Sequence, residues 1–274
     1  MPELPEVEGF RLVIDRHMGG RRIRRVRALD AWMLRDTTPA KFERALTGRT
    51  VTRTHRRGKL LLAFTDDKAA NGPVLGLHFG MTGHPHPAAP GEPAHRWDRL
   101  VFEFDDSTQL RYRNQRRLGY IRLSPRALVT DLLWGLGPEP LEAPAAWFAE
   151  TLSRRRGPVK GVLLDQGFLA GIGNIYADEA LFEAGIRPDR PANTLSAAES
   201  RNLHRAIRST LRRGIRAAEA GRRPRLALAD VRTRAARQRT GPGLTAVPCP
   251  SCGRPLNAAT LGGRTSYFCA RCQS

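Results

Sequence analysis

The first residues of the chain, Met-Pro-Glu-Leu-Pro-Glu, have the types that covalent catalysis at an N-terminus requires. Initiator methionine is generally removed before a small residue, and its removal leaves Pro2 as a free secondary amine. Such an amine attacks an electrophilic carbon and forms a cationic imine, as a Schiff-base lysine does. Glu3 and Glu6 bring two carboxylates close by for proton transfer. The residues alone leave a second interpretation open, in which this proline-rich segment only starts a helix.

Four cysteines near the other end of the sequence have the spacing of a metal site. Cys249-Pro-Ser-Cys252 and Cys269-Ala-Arg-Cys272 are separated by residues 253–268. Two such pairs predict a tetrahedral zinc site, with disulfide bonds as the alternative, although these are rare in cytosolic proteins. If all four cysteines are ligands, no coordination position is left for a substrate. We therefore expect one structural zinc ion.

The charge of the chain favours a polyanionic partner. Among 274 residues, 46 are lysine or arginine and 26 are aspartate or glutamate, which gives a formal net charge of +20. This balance is typical of nucleic-acid-binding proteins, and by itself it fits a ribosomal or chromatin-like protein equally well. No apolar run approaches the ~18 residues of a membrane span, and the acidic start is unlike an export signal. We therefore expect a cytoplasmic protein without a membrane partner.

The first half of the sequence predicts one helix followed by short strands. Apolar residues recur at helical spacing at Val7, Phe10, Ile14 and Met18. Gly19-Gly20 ends this helix, and Glu6 lies in its first turn, where the helix dipole favours a carboxylate. Short apolar runs broken by Gly, Pro and Asp follow at 23–26, from 51, and at 59–65, 74–79, 100–104 and 120–123. We expect a β-sandwich or barrel behind a single helix.

The second half predicts helices around a glycine-rich turn. A short helix is expected at 158–166. The segment Leu-Ala-Gly-Ile-Gly-Asn at 169–174 then opens a second helix, which stops at Gly185. The backbone N–H groups of such a turn, at the positive end of the helix dipole, are suited to bind a phosphate, and Asn174 can add a side-chain donor. The alternative is an ordinary helix–turn–helix connection within the core.

The chain start, the glycine-rich turn and the cysteine pairs together resemble the formamidopyrimidine-DNA glycosylase/endonuclease VIII family, and most closely its formamidopyrimidine branch. The resemblance implies an α+β multidomain fold. An N-terminal helix plus β-sandwich is followed by a C-terminal helical helix–two-turn–helix domain with a zinc-ribbon hairpin. The expected bounds are 2–134 for the catalytic β-sandwich domain, 135–146 for a Gly/Pro-rich linker, 147–245 for the helix–two-turn–helix DNA-binding domain and 246–274 for the zinc finger.

By this resemblance, the expected function is base-excision repair. A DNA glycosylase with abasic-site lyase activity would act on oxidised bases in damaged double-stranded DNA, by β,δ-elimination through a Schiff base on the N-terminal proline. We expect a monomer that associates with the nucleoid through DNA binding. Two alternatives stay open: a non-catalytic zinc-containing DNA-binding protein, and an endonuclease VIII-like enzyme that prefers oxidised pyrimidines. The first accounts for the charge and the cysteines but not for the acidic residues beside Pro2.

The resemblance also assigns roles to individual residues. The catalytic residues implied are Pro2, Glu3, Glu6, Lys59 and Arg264, and the DNA-binding residues are His78, Met81, Arg116, Leu118, Lys160 and Asn174. Pro2 is the nucleophile, Glu3 moves protons on the opened sugar, and Glu6 orients the amine. Phosphates beside the lesion are held by Lys59, Asn174 and Arg264, with His78 and Lys160 close to them. Met81 fills the space of the everted base and Arg116 faces the base opposite.

Two segments depart from the family pattern. Residues 114–119 read Asn-Gln-Arg-Arg-Leu-Gly where the family usually has Asp-Pro-Arg-Arg-Phe-Gly, so Leu118 replaces a stacking aromatic ring. Residues 221–248 lack the aromatic loop that closes over an everted 8-oxoguanine. Arginine dominates 201–239, whose only acids are Glu219 and Asp230, and we expect a segment that binds the DNA backbone or is partly disordered. Ser196 and Glu199 form a capping box for a helix at its start.

Overall fold

The structure is a computed structural model that describes residues 2–66, 72–229 and 247–274. The chain divides into two compact units, Met1–Trp134 and Gly135–Ser274. Within the described ranges, no helix is both long and apolar enough to cross a membrane. The bounds predicted for the linker, the helical domain and the zinc finger stay predictions.

The first unit begins with helix α1 (Leu4–Met18), as predicted. Pro5 lies in its first turn, where its fixed φ and missing N–H cost nothing. One face of the helix is buried, and it carries Leu4, Val7, Ile14 and Met18. The helix ends at Gly19, whose N–H donates to the carbonyl of Asp15 at 3.0 Å.

The first unit is otherwise mostly β-structure. Its described strands are β1 (Ile23–Ala28), β2 (Leu34–Arg35), β3 (Val51–Arg57), β4 (Leu60–Thr65), β5 (Val74–His78), β6 (His84–Ala88), β7 (Asp98–Phe104), β8 (Gln109–Arg113) and β9 (Tyr120–Ser124). One sheet has the order β1-β7-β8-β6 and the other β2-β9-β5-β4-β3. The prediction of a single helix is wrong, because helix α2 (Pro39–Leu46) follows β2, with Thr38 as its N-cap.

The two sheets and α1 share one apolar core, which confirms the sandwich. Ile14 of α1, Phe102 of β7 and Leu77 of β5 are buried in it. Strand β4 is buried on both faces, because Leu62 on its other face belongs to a second cluster that is closed by the 3-10 segment Arg126–Leu133. Burial on both faces fixes β4, and with it the turn that leads into it.

The second unit contains the predicted helices. They follow α3 (Ala145–Ser153), which was not predicted individually, and they are α4 (Val159–Leu164), α5 (Asn174–Ala184) and α6 (Ala197–Glu219). Gly185 ends α5 with a φ of 70°. The capping box at the start of α6 is confirmed: the N–H of Ser196 donates to Glu199 Oε2 at 2.7 Å, and the N–H of Glu199 donates to Ser196 Oγ at 3.2 Å.

An antiparallel hairpin completes the second unit. It consists of β10 (Asn257–Leu261) and β11 (Arg264–Phe268). The connecting Gly262-Gly263 has φ values of 56° and 68°, which is the backbone that a two-residue hairpin turn requires. The hairpin lies between the two cysteine pairs in the sequence and is the predicted zinc ribbon.

Candidate functional site

The residues predicted to be catalytic lie at the start of α1. Glu3 is the N-cap of the helix and its side chain is 1% exposed, whereas Pro2 before it is half-buried. Glu6 occupies the third helical position, and its Oε2 accepts a hydrogen bond from the backbone N–H of Glu3 at 2.9 Å. Glu6 therefore fixes the peptide group that directly follows Pro2. Its predicted contact with the free amine stays a prediction.

Lys59 lies in the tight turn that joins β3 to β4. Gly58 has a φ of 57°, and the strands pair from Arg57 with Leu60 onward. Leu60 in turn pairs with His78 on β5, so Lys59 is held near the end of that strand. Its ammonium group lies close enough to lower the pKa of His78. Strand pairing thus gathers two predicted phosphate contacts at one edge of the sheet.

His78 is a neutral imidazole at pH 7. Burial first, and then the charge of Lys59, lower its pKa from 6.5 to about 4. Its ring stacks on Tyr120 with the centroids 4.8 Å apart. The backbone N–H of Gly80 donates to Nδ1 at 3.3 Å, which places the ring proton on Nε2. As a phosphate contact, His78 would therefore offer an uncharged N–H donor and not a positive charge.

Asn114, which replaces the usual family aspartate, joins the two loops that carry Met81 and Leu118. Its side chain has no exposed surface. Oδ1 accepts from Thr82 Oγ1 and from the N–H of Arg117, both at 3.0 Å. Nδ2 donates to the hydroxyl of Tyr112 at 3.0 Å and to the carbonyl of Phe79 at 3.3 Å. This role of Asn114 was not predicted, because strand β8 (Gln109–Arg113), which places Asn114 between the loops, was not predicted from the sequence either.

Two glycines let these loops touch. A Cβ on Gly80 would lie 2.4 Å from the carbonyl carbon of Leu118, and one on Gly119 would lie 2.2 Å from the hydroxyl of Tyr112. Met81 is half-buried, and Leu118 is 52% exposed although it is a large apolar residue. The loops therefore present two apolar side chains from neighbouring backbones. This is the arrangement that a wedge between DNA bases requires.

Arg116 and Arg117 differ in what they contact. Arg117 has a φ of 54°, and its guanidinium binds both carboxylate oxygens of Asp30, with Nε 2.7 Å from Oδ2 and Nη2 2.8 Å from Oδ1. The backbone N–H of Arg116 donates to Thr82 Oγ1 at 2.9 Å, and its side chain is exposed. Among the described residues, Arg116 forms no ion pair. Of the two arginines, Arg116 is the one available to a partner.

The glycine-rich turn before α5 is fixed by Gln166, which the sequence analysis did not single out. Its Oε1 accepts from the N–H of Gly171 at 3.0 Å, and its Nε2 donates to the carbonyl of Ile172 at 2.9 Å. Gly173 then caps the helix and Asn174 is its first residue. The side chain of Asn174 is half-buried, and its Nδ2 donates to the carbonyl of Thr265 on β11 at 3.3 Å.

Lys160 is completely buried, and its predicted contact with DNA stays a prediction. Its ammonium group lies 2.7 Å from Asp178 Oδ1, and neither side chain has exposed surface. The same group donates to Ser266 Oγ at 2.6 Å and to the carbonyl of Thr265 at 3.3 Å. Asp178 Oδ2 accepts from the N–H of Tyr267 at 3.2 Å. The pair therefore fastens strand β11 to α5.

Arg264 lies at the tip of the zinc-ribbon hairpin. It follows the glycine turn directly, pairs with Leu261 across the hairpin and is exposed. The next residue, Thr265, gives its carbonyl to both Asn174 and Lys160. Arg264 is thus held within one residue of the contact that joins β11 to the start of α5. The two predicted phosphate contacts of this unit, Asn174 and Arg264, are therefore positioned by the same residue, Thr265.

The four cysteines lie together and fit a zinc ion. The Sγ atoms all lie within 4.8 Å of one another, with Cys249 and Cys272 3.9 Å apart and Cys252 and Cys269 3.5 Å apart. Zn–S bonds of about 2.3 Å in a tetrahedron require S···S separations close to these values. All four are free cysteines. The predicted single, structural zinc site is confirmed by this geometry and by the family comparison below.

The segment 221–248, in which the family's aromatic loop is expected to be missing, is only partly described. Residues 221–229 follow α6, and the rest up to residue 246 lies outside the described residues. The arginine-rich segment 201–239, which is expected to bind the DNA backbone or to be partly disordered, is therefore described only for residues 201–229.

Three protein-family models match successive parts of the chain. The formamidopyrimidine-DNA glycosylase N-terminal domain matches residues 1–121, and the formamidopyrimidine-DNA glycosylase H2TH domain matches residues 136–224. The zinc finger found in FPG and IleRS matches residues 248–274. Together they cover both units and the cysteine cluster.

Similar proteins agree with these models over the full length. Formamidopyrimidine-DNA glycosylase from Geobacter metallireducens is 39% identical over 284 residues, covering 100% of both chains. The protein of that name from Pelobacter propionicus is 39% identical over 286 residues, again with 100% of both covered. Among solved structures, Lactococcus lactis Fpg in complex with abasic-site DNA has a TM-score of 0.85 at 28% identity, covering 99% of each chain. Its complex with DNA containing FAPY-dG has a TM-score of 0.84 at 29% identity, with the same coverage.

Proposed function

The chain belongs to the formamidopyrimidine-DNA glycosylase family, and we propose that it excises oxidised bases from duplex DNA and then cleaves the strand by β,δ-elimination through an imine on Pro2. The observation that carries this proposal is the geometry at the start of α1. The buried Glu3 carboxyl directly follows Pro2, and Glu6 holds the intervening backbone through the N–H of Glu3. A nucleophile and two proton-transfer groups are thus fixed within one helical turn.

In the proposed reaction, the nitrogen of Pro2 bonds to C1′ of the damaged nucleotide while the bond from C1′ to the base breaks. The base leaves with the bonding electrons and takes up a proton. Glu3 transfers a proton to the sugar ring oxygen, so that the ring opens and a cationic imine joins Pro2 to C1′. Loss of a proton from C2′ expels the 3′ phosphate, and a second elimination expels the 5′ phosphate. Water then hydrolyses the imine and restores the amine.

The loops joined by Asn114 support eversion of the damaged nucleotide. A base must leave the stack before its C1′ can be attacked, at a cost of a few kcal/mol. Met81 and Leu118 would occupy the vacated space, which offsets part of this cost because the neighbouring bases regain apolar contacts. Arg116, whose side chain is exposed, would face the base opposite the lesion. The Asn114 network supports this role by holding both loops in one conformation.

The proposed phosphate contacts come from both units. Lys59 supplies a charge beside the uncharged N–H of His78. Asn174 and the backbone N–H groups at the start of α5 offer an anion site, since helix N-termini favour negative charge. Arg264 presents its guanidinium at the hairpin tip. Zinc bound by the four cysteines would supply folding energy to that hairpin and no catalytic chemistry.

Within the family, we propose a preference for abasic sites, formamidopyrimidines and oxidised pyrimidines over 8-oxoguanine opposite cytosine. Residues 221–248 contain no aromatic side chain to close over an everted purine, and Leu118 stacks less well than phenylalanine. Fewer contacts to the everted base give weaker discrimination. Rates on a panel of duplexes, each with one lesion, test this preference. A highest rate on 8-oxoguanine opposite cytosine would show that another segment closes the pocket.

Borohydride trapping tests the imine. Protein that lacks Met1 is expected to form a covalent adduct with abasic-site duplex DNA in the presence of borohydride, and Pro2→Gly should greatly weaken it. A form that retains Met1 should give no adduct, because its Pro2 nitrogen belongs to a tertiary amide. Equal trapping by that form would remove Pro2 as the nucleophile. DNA binding without any adduct would instead favour the non-catalytic alternative.

Base excision tests Glu3. Glu3→Gln keeps the size of the side chain but removes the proton, so excision should be largely lost while duplex binding is retained. Unchanged excision would contradict the proposed proton transfer.

A further inference from the structure

Helix α6 presents a row of arginines on the side opposite to its packed face. We call this row the arginine stripe; it consists of Arg201, Arg205, Arg208, Arg212 and Arg216. The spacing i, i+4, i+7, i+11, i+15 places all of them on one side of the helix. Leu203, Ile207 and Leu211 are buried on the other side, where α6 packs against α5 and α3. Four arginines of the stripe are exposed, and Arg208 is half-buried.

The stripe is not neutralised within the described part of the chain. None of its arginines forms an ion pair there, whereas the adjacent Arg213 binds Glu183 at 2.6 Å and Arg190 binds Glu199 at 2.6 Å. Successive arginines of the stripe are three or four residues apart, and the one acid at that spacing from any of them is Glu219, three residues beyond Arg216. Like charges at this spacing destabilise a helix. A face that repels itself in this way is stabilised when a polyanion covers it.

The positive surface continues beyond the end of the helix. Arg213 and Arg216 line a cleft of about 410 Å³ together with Arg222, Arg223 and Arg225. The last three follow the end of α6 and are exposed. The only acid in α6 outside the Glu199 capping box is Glu219. The row and the cleft therefore form one cationic surface along the helix.

The dimensions of this surface fit duplex DNA. At 1.5 Å per residue, the 23 residues of α6 span about 34 Å, which is about one turn of B-DNA. A duplex carries one phosphate charge per ~1.7 Å of its axis, and guanidinium groups bind phosphates without reading sequence. The stripe lies near the other end of α5 from Asn174: Arg205 shares a cleft with Glu183 and Ala184, the last residues of that helix, whereas Asn174 is its first. It is therefore a different surface from the proposed phosphate contacts of that helix start and of Arg264.

We propose that the arginine stripe binds the phosphate backbone of a second duplex segment, distinct from the segment that carries the lesion. One protein molecule then bridges two duplexes, or two segments of one DNA molecule. This binding needs neither a lesion nor the amine of Pro2. It therefore goes beyond the proposed excision reaction and is independent of it.

The test is energy transfer between two undamaged duplexes, one with a donor dye and one with an acceptor dye. Wild-type protein should bring them together, and raising the salt concentration should weaken this steeply, by about 0.9 log unit per log unit of salt for each phosphate bound. The stripe variant carries Arg205→Gln, Arg212→Gln and Arg216→Gln. We expect it to lose bridging by tenfold or more and to lower the salt slope by two to three units.

A matched control carries Arg24→Gln, Arg25→Gln and Arg44→Gln, which remove the same charge from exposed positions of the first unit. Its bridging should stay within about twofold of wild type. Glutamine has a helix propensity close to that of arginine, so α6 should persist in the stripe variant. An unchanged or raised Tm would verify that it folds.

Three results would overturn the proposal. They are binding of the second duplex only by displacement of the first, equal loss in the stripe and control variants, and occupation of the stripe by single-stranded RNA in preference to duplex DNA. Borohydride trapping by the wild-type protein reports separately on the proposed function. A failure of trapping with bridging intact would reject the lyase and leave the stripe assigned.

Discussion

The two units hold their predicted DNA-contacting residues by different means. In the first unit, the loops of Met81 and Leu118 meet at Asn114, a buried neutral amide with four hydrogen bonds. In the second unit, strand β11 is attached to α5 by the buried ion pair of Lys160 and Asp178, and the hairpin is closed by four cysteines. Cutting a neutral network loses hydrogen bonds, whereas removing one member of a charged group leaves a buried charge. The support of β11 in the second unit should therefore tolerate substitution less well than the Asn114 network in the first.

Removal of zinc should produce the largest difference in stability between the two units. Chelation, or Cys252→Ser, is expected to unfold the β10–β11 hairpin, because structural zinc contributes ~10–16 kcal/mol of apparent binding energy in zinc-finger peptides. Hydrogen exchange should show lost protection in the hairpin and unchanged protection in β4 and β5. DNA affinity should fall at least tenfold, because Arg264 loses its support. Elemental analysis should find one zinc ion per chain in the native protein, and a lower zinc content would contradict the assignment.

Breaking the ion pair is the next largest change. Asp178→Asn leaves the buried ammonium of Lys160 beside a neutral amide, and we expect a loss of about 3–5 kcal/mol in the free energy of unfolding. Urea denaturation measures it. As a control, Glu183→Gln breaks the ion pair between Glu183 and Arg213. The side chains of Arg213 and Glu183 are 38% and 35% exposed, so the loss in the free energy of unfolding should be less than about 1 kcal/mol.

A double variant sharpens this result. Replacing Lys160 by Met and Asp178 by Leu removes both charges, and it should recover much of the lost stability because no charge stays buried. Equal effects of Asp178→Asn and Glu183→Gln would show that the buried pair does not anchor β11.

The neutral network should respond less. Asn114→Ala leaves Thr82 Oγ1 and the carbonyl of Phe79 without their partner, at a cost of about 1–3 kcal/mol. Asn114→Asp keeps the acceptor oxygens and should restore part of this. Gln115→Ala, at the exposed neighbouring position, should change stability by less than about 0.5 kcal/mol. A cost for Asn114→Ala as large as that for Asp178→Asn would remove the distinction between the units.

His78 should give the smallest effect at neutral pH. Above pH 6.5 its imidazole is neutral in both the folded and the unfolded chain, so it adds no pH dependence. Between pH 6.5 and about 4 the unfolded chain takes up a proton that the folded protein does not, and stability falls as the pH is lowered. NMR titration should place the midpoint near 4, and His78→Gln should flatten this part of the stability profile. A midpoint near 6.5 would show that burial and the charge of Lys59 do not lower the pKa of His78.

The sequence predicted best where one local pattern decides the structure. Helices α1 and α5 have a start signal and an end signal within one segment, α6 has its capping box, and the cysteine pairs have the spacing of a zinc site. Strand β6 (His84–Ala88) was missed because Pro85 and Pro87 argue against a strand. It lies at the edge of its sheet, where a missing N–H is tolerated. Strand β8 was missed because Arg111 is charged, yet it is buried against Asp98 at 3.3 Å.

The candidate site was predicted as a set of residue types but not as an arrangement. From the sequence alone, a lysine is expected to be exposed. Lys160 can be buried because Asp178 and Ser266 pair with its ammonium group, and these two residues lie on other elements. The neutral state of His78 depends likewise on strand pairing that brings Lys59 beside it. Such contacts form only when the chain folds, and no spacing within the sequence encodes them.

The close backbone approach at Gly80 and Gly119 determines which substitutions this region can accept. Any side chain at Gly119 would have to displace the Tyr112 hydroxyl and the carbonyl of His78, 2.2 and 2.4 Å from the new Cβ. In a saturation mutagenesis screen for repair in cells, these two chemically inert positions should be as intolerant as Pro2. Leu118, whose side chain is half exposed, should accept other apolar residues. Evolution of the loops toward new lesions is thereby confined to the side chains at their tips, while the backbone that carries them stays fixed.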